Sequence, residues 1–209
     1  MSNNKSFFVP IIITINVIVY LMWTVFQTSF PPNFMMNNFT VSWNALLEGR
    51  YWTLLSSAFS HEMLFHIFIN MFVLNSFGSL LERVLGSTSF IRFYILASVL
   101  SSLSHSVVSA YLINDPSIAA LGASGAVAGV ILVFSLLFPR EKILLFGIIP
   151  LPALFGALAF IALDLWGLVS QTKGGGLPIG HGAHLGGAFT GIVYYFLVLR
   201  PKFKNQISF

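Results

Sequence analysis

Leu121-Gly122-Ala123-Ser124-Gly125 and, further along, Gly182-Ala183-His184-Leu185-Gly186-Gly187 decide how this chain is read. Each stretch opens a segment apolar enough to cross a bilayer, one presenting a serine between glycines and the other a histidine beside paired glycines. A hydroxyl and an imidazole are the two groups that base-activated nucleophilic attack requires. Their position at two membrane entrances points to hydrolysis in or beside lipid.

Composition sets the class around them. The 209-residue chain is 56% hydrophobic and only 8% charged, against about 25% charged in soluble domains. Six uncharged runs, at 7–26, 63–81, 93–113, 121–138, 143–163 and 182–199, reach the roughly 17–25 residues a spanning helix needs. Barrel strands would instead show short alternating segments. The expected fold is an all-α membrane protein, one domain over 1–209 forming a six-transmembrane-helix bundle. The absence of cysteine removes disulfides, thiolate metal sites and a cysteine nucleophile.

The formal charge of +4 follows topology and not nucleic acid. With the N-terminus inside, Lys5, Arg83, Arg92, Arg140, Lys142, Arg200, Lys202 and Lys204 fall on the inner face, and Arg50 and Lys173 on the outer. Positive charge on the inner side is the rule for multi-pass proteins, so both termini are expected in the cytoplasm. The first run is long for a signal peptide and lacks a clear small-x-small cleavage site, so it is read as a spanning helix. Residues 27–62 form a long outer loop carrying Phe30, Phe34, Phe39, Trp43, Tyr51 and Trp52, which suits the headgroup boundary. The triple glycine and Pro178 of 171–180 predict a mobile loop before the histidine helix.

In this orientation the second, fourth and sixth helices start at the outer face. Ser124, His184, His61, His66 and Asn70 therefore gather at one depth, where water can reach them. His66 and Asn70 are four apart and share a helix face, placing side-chain donors where they join the Ser124 N–H around a developing oxyanion. The helix dipole at Ser124 favours negative charge, and Gly122 and Gly125 let the backbone approach a substrate carbonyl. Gly125 with Gly129, and Gly187 with Gly191, are small-xxx-small pairs that bring membrane helices together. Asp164, near the outer end of the expected fifth helix, has no spacing link to His184, so a Ser-His dyad is inferred.

Bland alternatives weigh on each signal. Gly-x-Ser-Gly alone is common helix packing, and an intramembrane histidine serves transport or metal binding as readily as catalysis. His61 and His181 read as interfacial groups satisfied by water, and His105 as a hydrogen-bonded packing residue. His181 and His184 lack a carboxylate or cysteine to complete a metal set, so no metal and no cofactor is expected.

Together these motifs resemble the rhomboid family of intramembrane serine proteases over nearly the whole chain. The matches are His66-Ile67-Phe68-Ile69-Asn70, Glu82-Arg83-Val84-Leu85-Gly86, Gly122-Ala123-Ser124-Gly125 and Ala183-His184-Leu185-Gly186-Gly187. The resemblance implies Ser124 as nucleophile, His184 as base, and His66, Asn70 and the Ser124 amide as oxyanion donors. It implies transmembrane proteins as substrates, cut near the outer end of a helix that unwinds easily, with membrane lipids and no nucleic acid as partners. Two departures stand out. Gly49-Arg50 replaces the family's frequent Trp-Arg, and Ala128 replaces a tyrosine that packs on the histidine in some members, so other groups must hold the His184 ring. With no added segment at either end, the chain resembles the minimal bacterial form and is expected in a bacterial inner membrane. A non-catalytic rhomboid-like protein that binds membrane helices is the first alternative, disfavoured because both reacting groups are present. A small polar-lined transporter is the second, disfavoured because the polar residues stop near one face.

Overall fold

The computed structural model describes residues 6–26, 33–145 and 149–203. Lys5, Lys204 and the first part of the outer loop, 27–32 with Phe30, lie outside the described residues. The chain folds as a helical membrane bundle, with five helices long and apolar enough to cross a membrane and one shorter apolar helix among the described residues.

The first crossing helix, α1, runs Phe8–Phe26. The outer loop then folds into three short helices, α2 Phe34–Phe39, α3 Trp43–Leu47 and α4 Thr53–Ser56. Leu47, Tyr51 and Trp52 of this loop stay exposed, as a segment at a lipid boundary requires. The second crossing comprises α5 Leu64–Val73, a π-helical turn over Leu74–Gly78 and α6 Ser79–Leu85. Glu82 closes this end of the bundle. Its buried carboxylate accepts the backbone N–H groups of Phe7, Phe8 and Val9 at 2.8, 2.9 and 3.0 Å, donors that the first turn of a helix leaves without partners.

The long α7, Ser87–Tyr111, takes Arg92 into its own second turn, where a short connection was expected to hold it. Its buried face carries large rings near its start (Phe90, Phe93, Tyr94) and serines beyond them (Ser98, Ser101, Ser102, Ser106). The small residues leave room for neighbouring helices. The fourth helix, α8, is Ser124–Leu137, only 14 residues, instead of the expected 121–138. At 1.5 Å per residue it extends about 21 Å, short of a hydrocarbon layer of about 30 Å. Most of it is buried, and Ser124 at its head is half-buried.

The fifth expected helix, 143–163, is corrected in both directions. Strands β1 Lys142–Leu145 and β2 Ile149–Pro152 form an antiparallel pair with Lys142 opposite Pro152 and Leu145 opposite Ile149. Pro150 and Pro152 cannot donate to a helix, and the helix α9 starts only at Ala153 and continues to Thr172. Asp164, expected near the end of this element, is buried in its middle. The last crossing is α10 His181–Tyr194, continued by a π-helical turn at Tyr195–Leu199 and by α11 Arg200–Phe203.

Candidate active site

Ser124 is the first residue of α8, and the segment before it is held from the outer loop. Ala120 and Val41 exchange backbone hydrogen bonds at 2.8 and 2.9 Å. Gly122 donates its N–H to the Ser57 carbonyl at 2.9 Å with φ +123°, a conformation that suits glycine. The Ala123 N–H donates to His61 Nε2 at 3.3 Å. This pinned turn leaves the Ser124 N–H at the head of a helix, where the backbone donors have no intrahelical acceptor and the dipole end is positive.

His184 lies in the first turns of α10. The Ser124 hydroxyl donates to His184 Nε2 at 2.9 Å, so the two residues expected to meet do meet. The glycines explain how. A Cβ on Gly187 would fall inside the Gly125 carbonyl. One on Gly129 would stand 2.8 Å from the Gly187 oxygen, and one on Gly191 2.8 Å from the Gly129 oxygen. The four glycines interleave across α8 and α10 as expected, and backbone touches backbone.

His66 and Asn70 face the same place from α5. The His66 ring lies against Gly122, where a Cβ would stand 2.7 Å from its Cε1. Asn70 is buried and donates one amide hydrogen to the His66 carbonyl at 2.9 Å, which leaves the second one available. His66, Asn70, Gly122, Ser124 and His184 all border one cavity of about 990 Å³. The 171–180 loop covers part of it, and Gln171 ties that loop by donating to the Leu177 and Ile179 carbonyls at 2.8 Å each. A hydroxyl, an acceptor imidazole and several convergent N–H donors in one cavity are the parts needed for acyl transfer.

Three expectations are corrected here. Asp164 reaches His184 after all: the Nδ1–H of His184 donates to Asp164 Oδ1 at 3.0 Å, so the imidazole has a carboxylate partner that an unaided dyad would lack. His181 is buried and not interfacial, and its Nδ1 meets the same oxygen at 2.6 Å. His61 is fully buried too. Burial, with the His66 imidazole beside it, pushes it down to about 3, so it stays neutral. His105, by contrast, is the hydrogen-bonded packing residue expected, buried between the Ile118 carbonyl and Ser109.

Asp164 also completes the trio with His181 and His184 that spacing alone left short of a metal set, with ligand atoms within 4.8 Å of one another. Ligands about 2.0–2.2 Å from a tetrahedral zinc would stand about 3.3 Å apart. The contacts of 2.6 and 3.0 Å are hydrogen-bond lengths instead. Where Ala128 leaves the His184 ring without an aromatic neighbour on α8, Phe160 of α9 supplies one, its centroid 5.4 Å away. Arg50, lacking the tryptophan before it, is anchored by Glu48 at 2.6 and 3.0 Å and by the Asn37 carbonyl at 3.2 Å.

Asp164 had a signal in the sequence. Ala153, Ala157, Phe160, Asp164 and Gly167 recur at helical spacing along one face of α9, and an acid within such a face asks for a partner. The outer-loop residues Val41 and Ser57 had none, because their pairings are made by tertiary structure.

Residues 48–201 match the Rhomboid domain family model. RHOMBOID-like protein 12, mitochondrial, of Arabidopsis thaliana is 32% identical over 198 residues, 89% of this chain and 56% of that protein. Rhomboid protein 1, mitochondrial, of Saccharomyces cerevisiae is 37% identical over 169 residues, 77% of this chain and 47% of that protein. Presenilin-associated rhomboid-like protein, mitochondrial, of Homo sapiens is 34% identical over 186 residues, 88% and 46% of the two. The chain spans about half the length of these curated relatives. Their mitochondrial names do not fit the expected bacterial inner membrane.

Proposed function

The chain belongs to the rhomboid family, and from that premise we propose that it is an intramembrane serine protease, hydrolysing peptide bonds in or near the transmembrane helices of membrane proteins. The observation that carries this is the 2.9 Å hydrogen bond from Ser124 to His184 Nε2 at the wall of a large cavity. Ser124 Oγ adds to the substrate carbonyl carbon as its proton passes to Nε2. The resulting oxyanion is held by the Ser124 N–H with Asn70 and His66. Collapse breaks the C–N bond, and the amine leaves with the proton from His184. Water, deprotonated by the same imidazole, then cleaves the acyl ester and restores the hydroxyl.

We place the N-terminus on the membrane face richer in Lys and Arg, and the cavity toward the other. In this cysteine-free chain, a cysteine at Gly175 then reacts with an impermeant maleimide from the cavity side, and one at Arg140 only from the opposite side. The reverse pattern would turn the site around.

The test of activity is incubation of the purified, folded protein in detergent with a panel of single-pass helices, followed on gels. Cleavage by wild type and none by Ser124→Ala is expected. Helices bound but uncut by both proteins would favour the non-catalytic binding reading.

A further inference from the structure

Asp164 stands outside the motifs that bring Ser124 and His184 together, yet it is the residue on which two imidazoles converge. It is buried at mid-helix in a membrane-crossing segment, where an acid is costly unless partnered. Its Oδ1 accepts from His184 Nδ1 at 3.0 Å and from His181 Nδ1 at 2.6 Å, while Oδ2 has no hydrogen-bond partner among the described residues. The His181 ring in turn lies flush on α9 one turn beyond Asp164. A Cβ at Gly167 would collide with its Nε2 and Cε1 atoms. One helix face thus carries the acid and, three residues on, the gap that admits the second imidazole.

We propose that Asp164 is a positioning residue for the reaction, holding His184 with Nδ1 protonated and Nε2 toward Ser124, and that His181, seated on Gly167, holds Asp164 in place. This rests on the hydrolytic reading of Ser124 and His184. An imidazole free to rotate presents the wrong nitrogen or the wrong tautomer for part of the time. A carboxylate accepting from Nδ1–H fixes both, and it stabilises the imidazolium that forms when Nε2 takes the serine proton, without itself becoming protonated. The Asp–His181 contact is the shorter of the two, as expected of a brace whose geometry does not change during turnover. Phe160 packs on the His184 ring from the same helix, so α9 supplies the support for which Ala128 on α8 offers no ring.

The experiment compares wild type with Asp164→Asn, Asp164→Glu and Gly167→Ala, each shown to be folded by thermal unfolding in detergent. Two quantities are read: kcat against KM on a cleaved helix, and the tautomer of each histidine by ¹⁵N NMR of histidine-labelled protein. Asp164→Asn should lower kcat by on the order of 10²–10⁴-fold with KM little changed, and should shift His184 away from the Nδ1–H tautomer. Asp164→Glu should restore part of the rate. Gly167→Ala should disturb the His181 signal and lower kcat less than Asp164→Asn. Wild-type kcat and an unchanged His184 tautomer in Asp164→Asn would overturn the proposal and leave the dyad acting alone. Should that variant not fold, the wild-type spectrum decides: both His181 and His184 must be Nδ1–H, and an Nε2–H form of His184 overturns the idea. Signals that require added Zn²⁺ and vanish with chelator would make the trio a metal site instead, also against the proposal. Cleavage persisting in Ser124→Ala strikes at the protease reading and not at the tautomer result.

Discussion

The contact of α8 with α10 and the contact of α9 with α10 meet at the same imidazole but are built in opposite ways. Between α8 and α10 the seam is bare backbone, Gly125, Gly187, Gly129 and Gly191 interleaving with no room for a Cβ. Between α9 and α10 side chains reach across a gap, Asp164 to two histidines and Phe160 to the His184 ring. The seam sets how near the serine and the base come; the α9 side sets which way the base faces. A distance fixed by backbone tolerates no substitution, whereas an orientation shared among several side chains degrades by steps.

The largest difference should therefore come from filling the seam. Gly187→Leu has no side chain to push aside and must move backbone, since its Cβ overlaps the Gly125 carbonyl. Overpacking costs roughly 1–3 kcal/mol of stability, and a misplacement of about 1 Å at the reacting atoms can cost about 10²-fold in rate. A Cβ at Gly156 on α9 would meet only the end of the Ile143 side chain, so Gly156→Leu should lose far less. Equal rates in the two folded variants would mean the seam does not set the Ser–His distance.

A smaller effect is expected on the donor side of the site. Asn70→Ala removes one amide hydrogen from the cavity wall and should lower kcat by on the order of 10²–10³-fold with folding retained. An unchanged kcat would return Asn70 to a helix-packing role and leave the oxyanion to the Ser124 amide and His66.

The mildest is expected from the ring on α9. Phe160→Leu keeps apolar bulk but loses an aromatic contact worth about 0.5–1.5 kcal/mol, which corresponds to roughly 2- to 12-fold in rate. A loss as large as that of Gly187→Leu would show that orientation, and not distance, limits the reaction.

The two regions also differ in how far they could be read from the sequence. The seam is written in it: Gly125 with Gly129 and Gly187 with Gly191 carry the small-xxx-small spacing, and Ser124 and His184 sit beside them. Hydropathy placed the crossings because lipid demands long apolar helices. It misplaced the start of α9 because Ile143–Leu151 is as apolar as a helix would be, although Pro150 and Pro152 argue for a break. That shift carried Asp164 to a helix end and hid its face. Even a correct boundary would not have paired Asp164 with His181 and His184, since the contact crosses between helices and leaves no periodicity. The pinning of Gly122 and Ala123 by Ser57 and His61 was illegible for the same reason.

The central claim, that His184 activates Ser124 as a nucleophile, is most directly tested by labelling the folded protein with a fluorophosphonate and locating the adduct by mass spectrometry. One adduct per chain on Ser124 is expected in wild type, with labelling of His184→Ala reduced to background. Adducts spread over several serines, or equal labelling of Ser124 with and without His184, would contradict it.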